Sequence, residues 1–232
     1  MTKYEMIAND LADRIKNNEF ESTNKIPTEE KLMEEYSVSR NTVRSAIKTL
    51  NKVGLVYPIQ GSGWFIRENR KHNTIFLSGT RGITKEHIGK KLETKCLRLD
   101  EIEADQHISE LLLCEIGTPV YYIERLRIID DIPYTLEYTY YNKEIIPNIT
   151  KDIAESSIFN YIQNDLNLSF GFADKYISAR KLTDREADLL QLSHNDPAII
   201  VEDNIYLNNG TLFNSSSLVY NYKVAHFFMS AE

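Results

Sequence analysis

"VSRNTVRSAIKTL", residues 38–50, carries two arginines, Arg40 and Arg44, four positions apart, while its apolar residues run along a different face. Side chains four apart on a helix stand one above the other, so the spacing predicts a helix with a bare cationic stripe. Val43, Ala46, Ile47, Leu50 and Val53 form the stripe to be buried, and Ser39 is a good N-cap. Gly54 falls where a helix end wants a residue tolerant of positive φ. Arginine's planar fork matches the O6/N7 acceptors of guanine, or a phosphate, in two parallel hydrogen bonds. A helix N-terminus favours phosphate as well.

The flanking sequence supplies a setting for this helix. In residues 3–18, Tyr4, Ile7, Ala8, Leu11 and Ile15 recur at helical spacing. Pro27 favours an extended residue before it, and Thr28 caps a second helix running to about Tyr36 with Leu32 and Met33 inside. Ser37 and Val38 make a tight turn into the quoted helix. Downstream, "LVYPIQGSGWFIR", residues 55–67, places two short β-prone runs around Gly61-Ser62-Gly63, a hairpin with Pro58 on an edge. Two arginines on a helix face are usually just solvated, and a Gly-Ser-Gly turn alone is a weak signal. Their order and spacing together describe a winged helix-turn-helix, whose second helix meets base edges in the major groove.

These residues resemble the DNA-binding domain of the GntR family of bacterial transcription regulators. Its pattern is met by Ile26-Pro27-Thr28-Glu29-Glu30, by Val38-Ser39-Arg40-Asn41-Thr42-Val43-Arg44 and by Gly61-Ser62-Gly63-Trp64-Phe65-Ile66. The resemblance implies operator contacts from Arg40, Thr42, Arg44 and the backbone at Gly61, with Thr28, Asn41, Ser62 and Gly63 completing the candidate set. One departure stands out: where the family has an arginine after Pro-Ser-Glu, this chain has Glu30, next to Lys31. A carboxylate cannot bind phosphate.

Composition fits such a reading only when divided along the chain. The 232 residues are 42% hydrophobic and 26% charged, ordinary values for a chain able to bury a core. No apolar run reaches the ~20 residues that cross a bilayer, and "MTKYEMIANDLADRI" lacks the pattern of a signal peptide. Cys96 and Cys114 form neither a metal spacing nor a disulfide framework, which makes a reducing cytoplasm the expected location. The net charge of −7 is uneven: residues 1–70 hold 11 Lys+Arg against 10 Asp+Glu, and residues 71–232 hold 16 against 24. Attraction to DNA must therefore come from a local patch including Lys3, Arg40, Arg44, Lys48 and Arg67.

"RENRKHNT", residues 67–74, is polar and holds the linker, so the expected boundaries are 1–68 for the head, 69–74 for the linker and 75–232 for a second domain. There, "KCLRLDEIEA", "VYYIERLRIID" and "DDIPYTLEYTYYN" read as strands, the last two joined by a turn at Asp130-Asp131. "ADQHISELLLC", "SIFNYIQNDLNL" and "TDREADLLQL" read as helices, the last capped by Thr183. "AIIVEDNIYLNNGTLFNSSSLVYNY" reads as two strands around an Asn-Asn-Gly turn. The fold class is α+β with a mostly antiparallel sheet.

The runs "EIEAD" (101–105), "GTPVYYIERLR" (117–127), "IPYTLE" (132–137) and "SIFNYI" (157–162) resemble the UTRA effector-binding domain of the HutC subfamily. The resemblance implies a chorismate lyase-like α/β fold that binds small molecules, often sugar phosphates, and the "SIFNYIQNDLNLS" region resembles repressors of sugar operons, including those responding to trehalose 6-phosphate. Arg125 and Arg127 alternate on one strand and so share a face, where two guanidiniums repel unless an anion or carboxylate lies between them. Glu137 supplies a structural partner or accepts sugar hydroxyls, and Ser157 at a helix start offers its hydroxyl and N–H to a phosphate. Phe159 and Tyr220 complete the effector set, and Ser215, Ser216 and Ser217 stand where the family often has acidic residues. The competing account is a cross-strand Arg–Glu pair with Ser157 as a plain N-cap.

His72, His87, His107, His194 and His226 are scattered, with no metal-ligand spacing, and there is no phosphate loop or nucleophile elbow, so neither metal, cofactor nor catalytic residue is expected. The expected protein is a cytoplasmic, homodimeric, ligand-responsive regulator, a repressor binding a palindromic operator. Its rivals are a lyase-like enzyme using Arg125, Arg127 and Glu137, and a constitutive DNA-binding protein without effector.

Overall fold

The computed structural model describes residues 2–67, 74–77, 82 and 91–229. Two compact units emerge, Met1–Gly79 together with Phe227–Glu232, and Thr80–His226. This division differs from the expected 1–68, 69–74 and 75–232, because the end of the chain returns to the first unit. Strand β3 (Thr74–Phe76) pairs with β10 (His226–Phe228), and Leu77 N–H donates to the Phe228 carbonyl at 3.0 Å. Most of the expected linker, residues 68–73, lies outside the described residues.

The first unit contains α1 (Lys3–Lys16), α2 (Glu29–Tyr36), α3 (Arg40–Lys52) and an antiparallel hairpin, β1 (Val56–Ile59) and β2 (Gly63–Ile66). Thr28 and Ser39 cap α2 and α3, each hydroxyl accepting a backbone N–H three residues on at 3.4 Å. Between these helices Ser37 adopts left-handed φ, 51°, and turns the chain. Ile7, Leu11, Leu32, Val43, Ala46, Ile47, Leu50 and Val56 are buried together, so the periodic apolar stripes meet as expected. Gly54 has φ +62°, and a Cβ there would stand 2.5 Å from the Phe228 ring; both the backbone and the packing demand glycine.

The second unit is one antiparallel sheet of six strands in the order β4-β5-β6-β9-β8-β7. Their ranges are β4 Leu92–Glu103, β5 Pro119–Ile129, β6 Ile132–Asn142, β7 Phe170–Lys181, β8 Pro197–Leu207 and β9 Leu212–Asn221. Asp130 and Asp131, at φ 51° and 66°, make the β5–β6 turn with both central residues left-handed, the geometry that matches sheet twist. Helices α4 (Gln106–Leu112) and α7 (Asp184–Leu190) cover one face, where Ile108 and Leu112 pack with Val120, and Ala187 and Leu190 with Leu126, Leu136 and Val219. The other face receives α5 (Lys151–Glu155) and the chain to Leu168, burying Ala154, Ile158 and Ile162 on Tyr121, Ile123, Tyr141 and Phe213.

"SIFNYIQNDLNL" is not the regular amphipathic helix expected. A short piece, α6 (Ile158–Asn160), opens into a wide turn over Tyr161–Asp165, in which Leu166 N–H reaches the Tyr161 carbonyl five residues back at 3.1 Å. Such widened turns cluster at functional sites. Alternation then decides what the covered face carries. Cys96, Arg125, Glu137, Leu218, Val201 and Ile177 form one row across all six strands, and Thr94, Arg127, Thr135, Tyr220, Ile199 and Ala179 form the next.

Candidate functional site

The first candidate surface is the exposed side of α3. Burying Val43, Ala46, Ile47 and Leu50 turns Arg40 and Arg44 outward, their side chains 49% and 55% exposed. The cationic stripe is nevertheless not bare. Arg44 Nε lies 3.0 Å from both carboxylate oxygens of Glu29, which leaves its two terminal nitrogens outside that pair. Arg40 donates through terminal Nη2 to Glu30 at 2.9 Å, and its Nε stands 3.7 Å from Glu29. Both carboxylates sit in the first turn of α2, where the helix dipole favours them. Reading α3 alone could not show this, because the partners come from another helix.

Asn41 is exposed at the head of α3, while Thr42 is half-buried with its hydroxyl 3.0 Å from that of Ser39. Thr28 is exposed and occupied as a cap. Gly61, Ser62 and Gly63 are exposed at the hairpin tip, and a Cβ at either glycine would meet nothing within 4 Å. Lys3 and Lys48 are exposed. Arg67 departs from the expected cationic patch: its guanidinium packs 5.2 Å from the ring centroids of both Tyr57 and Phe228, a cation–π arrangement inside the unit.

A structural network, unforeseen from the sequence, ties α1 to α2. Arg14 pairs with Glu19 at 2.8 Å and Glu35 at 2.6 Å, and Tyr36 donates to Asp10. Burial and the Asp10 hydrogen bond push the Tyr36 phenol up to about 12.

The second candidate is the covered face of the large sheet, where Arg125, Arg127, Glu137 and Tyr220 come together. All four are buried, at 7%, 2%, 5% and 3% exposure. Arg125 and Glu137 stand directly opposite in register, with Nη2 2.5 Å from Oε2, while Arg127 Nη1 is 3.7 Å from Glu137 Oε1. Arg125 also donates through Nη1 to the Ala154 carbonyl at 3.1 Å, near the end of α5. Its Nε has no hydrogen-bond partner among the described residues. Burial lowers the Arg127 guanidinium to about 10; Glu137 raises it and the Arg125 charge lowers it further.

Ser157 caps the helical turn that follows, its hydroxyl accepting from Asn160 N–H at 3.3 Å. Phe159 stacks edge-on against Phe170 and lies against Gly82. Of the three serines, Ser216 alone shares the arginine face, in the row Thr139, Ser216, Asp203, Lys175. Asp203 and Lys175 were missed from the sequence. They form a second ion pair, and burial pushes the Asp203 carboxyl up. The signal was available: a carboxylate at the middle of the apolar alternation Val201, Asp203, Ile205.

Among the described residues no three His, Cys, Asp or Glu side chains stand together as a metal site, and no helix is long and apolar enough to cross a membrane.

Comparison with known proteins covers both units. Residues 3–66 match the family described as bacterial regulatory proteins, gntR family, and residues 87–224 match the UTRA domain. The HTH-type transcriptional regulator GmuR of Bacillus subtilis is 33% identical across 93% of this chain and 92% of its own length. The crystal structure of the possible transcriptional regulator YydK from Bacillus subtilis superposes with a TM-score of 0.83 at 27% identity, covering 98% of this chain and 99% of that one. The effector binding domain of the Bacillus subtilis trehalose repressor (TreR) gives a TM-score of 0.55 at 26% identity over 60% of this chain and 97% of that one. With a reading helix, a glycine-tipped wing and a six-stranded effector-type sheet matched over nearly its whole length, this chain belongs to the gntR family of bacterial regulatory proteins, in the branch that carries a UTRA domain.

Proposed function

We propose that the protein is a cytoplasmic repressor that binds a palindromic operator as a homodimer and responds to an anionic sugar, with a sugar phosphate as the best fit. In this reading Arg40, Asn41, Thr42 and Arg44 enter the major groove, Thr28 lies near the backbone, and Gly61, Ser62 and Gly63 let the wing approach the sugar-phosphate chain. Half-sites about one helical turn apart are the geometric expectation for such a dimer.

The observation that carries the effector reading is the buried trio Arg125, Arg127 and Glu137 on one sheet face. Two desolvated guanidiniums side by side disfavour each other, and an anion between them offsets that cost. Glu137 and Ser216 then accept or donate to hydroxyls, and Tyr220 and Phe159 supply apolar walls. The likeness to the effector binding domain of the Bacillus subtilis trehalose repressor fits a sugar ligand. The gntR-family head supports regulation over turnover: a lyase has no use for a helix that presents arginines to a duplex. For the ligand to switch the protein, it must bind two arrangements of the paired heads unequally.

A thermal-shift screen of phosphorylated sugars against their unphosphorylated forms tests this, followed by duplex binding with the best hit. Saturation at a hundredfold over Kd adds about 2.7 kcal/mol of stability. A phosphorylated sugar that raises the transition and alters duplex affinity is expected. Stabilisation by free sugars alone, consumption of the ligand, or no hit across the panel would overturn the proposal.

A further inference from the structure

We propose that Glu30 is a specificity-determining residue that withholds Arg40 from the DNA backbone, so that the head's grip depends less on phosphate and more on Arg44. The inference rests on the DNA-binding reading above and deepens it.

The two arginines of α3 are held in different ways. Glu29 is the more enclosed carboxylate, 23% exposed, and it takes Arg44 by Nε at 3.0 Å to both oxygens. That grip fixes the plane of the guanidinium and leaves the terminal nitrogens outside the pair, the arrangement a bidentate contact with guanine needs. Glu30 is 64% exposed and takes Arg40 at the tip, Nη2 to Oε1 at 2.9 Å. One of the two terminal nitrogens that could reach a phosphate is already donating to a carboxylate. Arg40 is also within 3.7 Å of Glu29, so its charge faces two carboxylates from α2. Glu29 positions its arginine, whereas Glu30 competes with DNA for one.

Counterion release gives the pair a measurable signature. Each phosphate neutralised by a cation adds about 0.9 to the slope of log affinity against log salt on B-DNA. An arginine compensated within the protein contributes little to that slope. Freeing it adds one contact, independent of sequence.

The test is a double-mutant cycle in the full chain, using a labelled random-sequence duplex of roughly 30 base pairs, long enough to cover two half-sites a helical turn apart. Anisotropy titrations run from about 50 to 200 mM salt, an interval over which log affinity falls linearly with log salt. Glu30→Gln is expected to tighten binding and steepen the slope by about 0.9, so that its advantage shrinks about threefold across that range. In an Arg40→Gln background the same change should have little effect on the slope. Both side chains are exposed, and circular dichroism checks that each variant folds. An unchanged slope in Glu30→Gln overturns the inference. So does an equal steepening in the Arg40→Gln background, which would mean Glu30 repels DNA directly. Loss of preference at one base pair of a duplex selected by the protein would make Glu30 a base reader and overturn it too. Failure of the unaltered chain to bind any duplex would instead defeat the DNA-binding reading itself.

Discussion

Replacing Glu137 by glutamine keeps the shape of the buried floor and removes only its charge. In the folded protein Arg125 Nη2 lies 2.5 Å from Glu137 Oε2, with side chains 8% and 6% exposed, and Arg127 is 3.7 Å from the other oxygen. Exposed ion pairs contribute ~0–1 kcal/mol, but removing one partner of a buried pair costs about 3–5 kcal/mol because the remaining charge stays desolvated. Here two guanidiniums lose the same carboxylate, which places the loss at the upper end of that range. Against a total stability of about 5–15 kcal/mol it is a large share. A domain of roughly 150 residues shifts its transition by about 2–4 °C per kcal/mol, so Glu137→Gln should lower the second unit's Tm by roughly 10–20 °C. Urea unfolding followed by circular dichroism in the β-sheet region gives the same quantity without heating. Inorganic phosphate, by supplying an anion beside Arg125 and Arg127, should restore part of the loss in the variant and stabilise the unaltered protein less. A stability change within about 1 kcal/mol would refute the reasoning, since it would mean the guanidiniums do not depend on this carboxylate.

Three further outcomes follow from particular contacts. Arg44→Ala should weaken binding to a selected duplex by about 1–3 kcal/mol and relax preference at one base position, read by anisotropy at moderate salt. Gly54→Ala should destabilise the first unit by about 1–3 kcal/mol, because its φ of +62° disfavours alanine and the new methyl would stand 2.5 Å from Phe228. A melting temperature equal to the parent's would contradict that close packing. His194 lies against Asp188 at 3.1 Å and Asp184 at 3.3 Å, which raise its proton affinity above the ordinary histidine value. A raised folded-state value means its contribution to stability is present on the acid side and is lost as pH rises through that value. Titrating the ring by NMR should show the raised midpoint, moving part of the way back toward the ordinary value in Asp188→Asn because Asp184 still faces the ring.

The helices of the head were legible because each carries a cap, an apolar period and a terminator that agree: Thr28 and Ser39 begin α2 and α3, and Gly54 follows the last turn. Strands β5, β6, β8 and β9 were legible for a similar reason, with Asp130-Asp131 and Asn208-Asn209-Gly210 marking the turns. Strand β7 was not. Its sequence mixes Gly171, Asp174, Ser178 and Arg180 with apolar residues, and as an edge strand it buries little, so no period-2 signal survives. Strands β3 and β10 are three residues each and are defined by pairing across nearly the whole chain, which no local window can detect. Of the candidate sites, the shared face of Arg125 and Arg127 follows from alternation, and Glu137 from hairpin register. The carboxylates that occupy Arg40 and Arg44 were hidden because the angle between α2 and α3 is a tertiary property. Ser157 as a cap was one of two readings the sequence left open, and the local hydrogen bond to Asn160 favours it.

The return of His226–Phe228 to pair with Thr74–Phe76 gives biosynthesis a direction. A ribosome makes the three helices and the hairpin first, then the entire sheet domain, and only afterwards the aromatic that covers Gly54 and Arg67. The nascent head therefore waits, with that patch open, until some 150 further amino acids have been added, on the order of ten seconds at usual elongation rates. Polypeptides abandoned before residue 226 would carry the three helices and the hairpin without the Phe228 ring over Gly54 and Arg67.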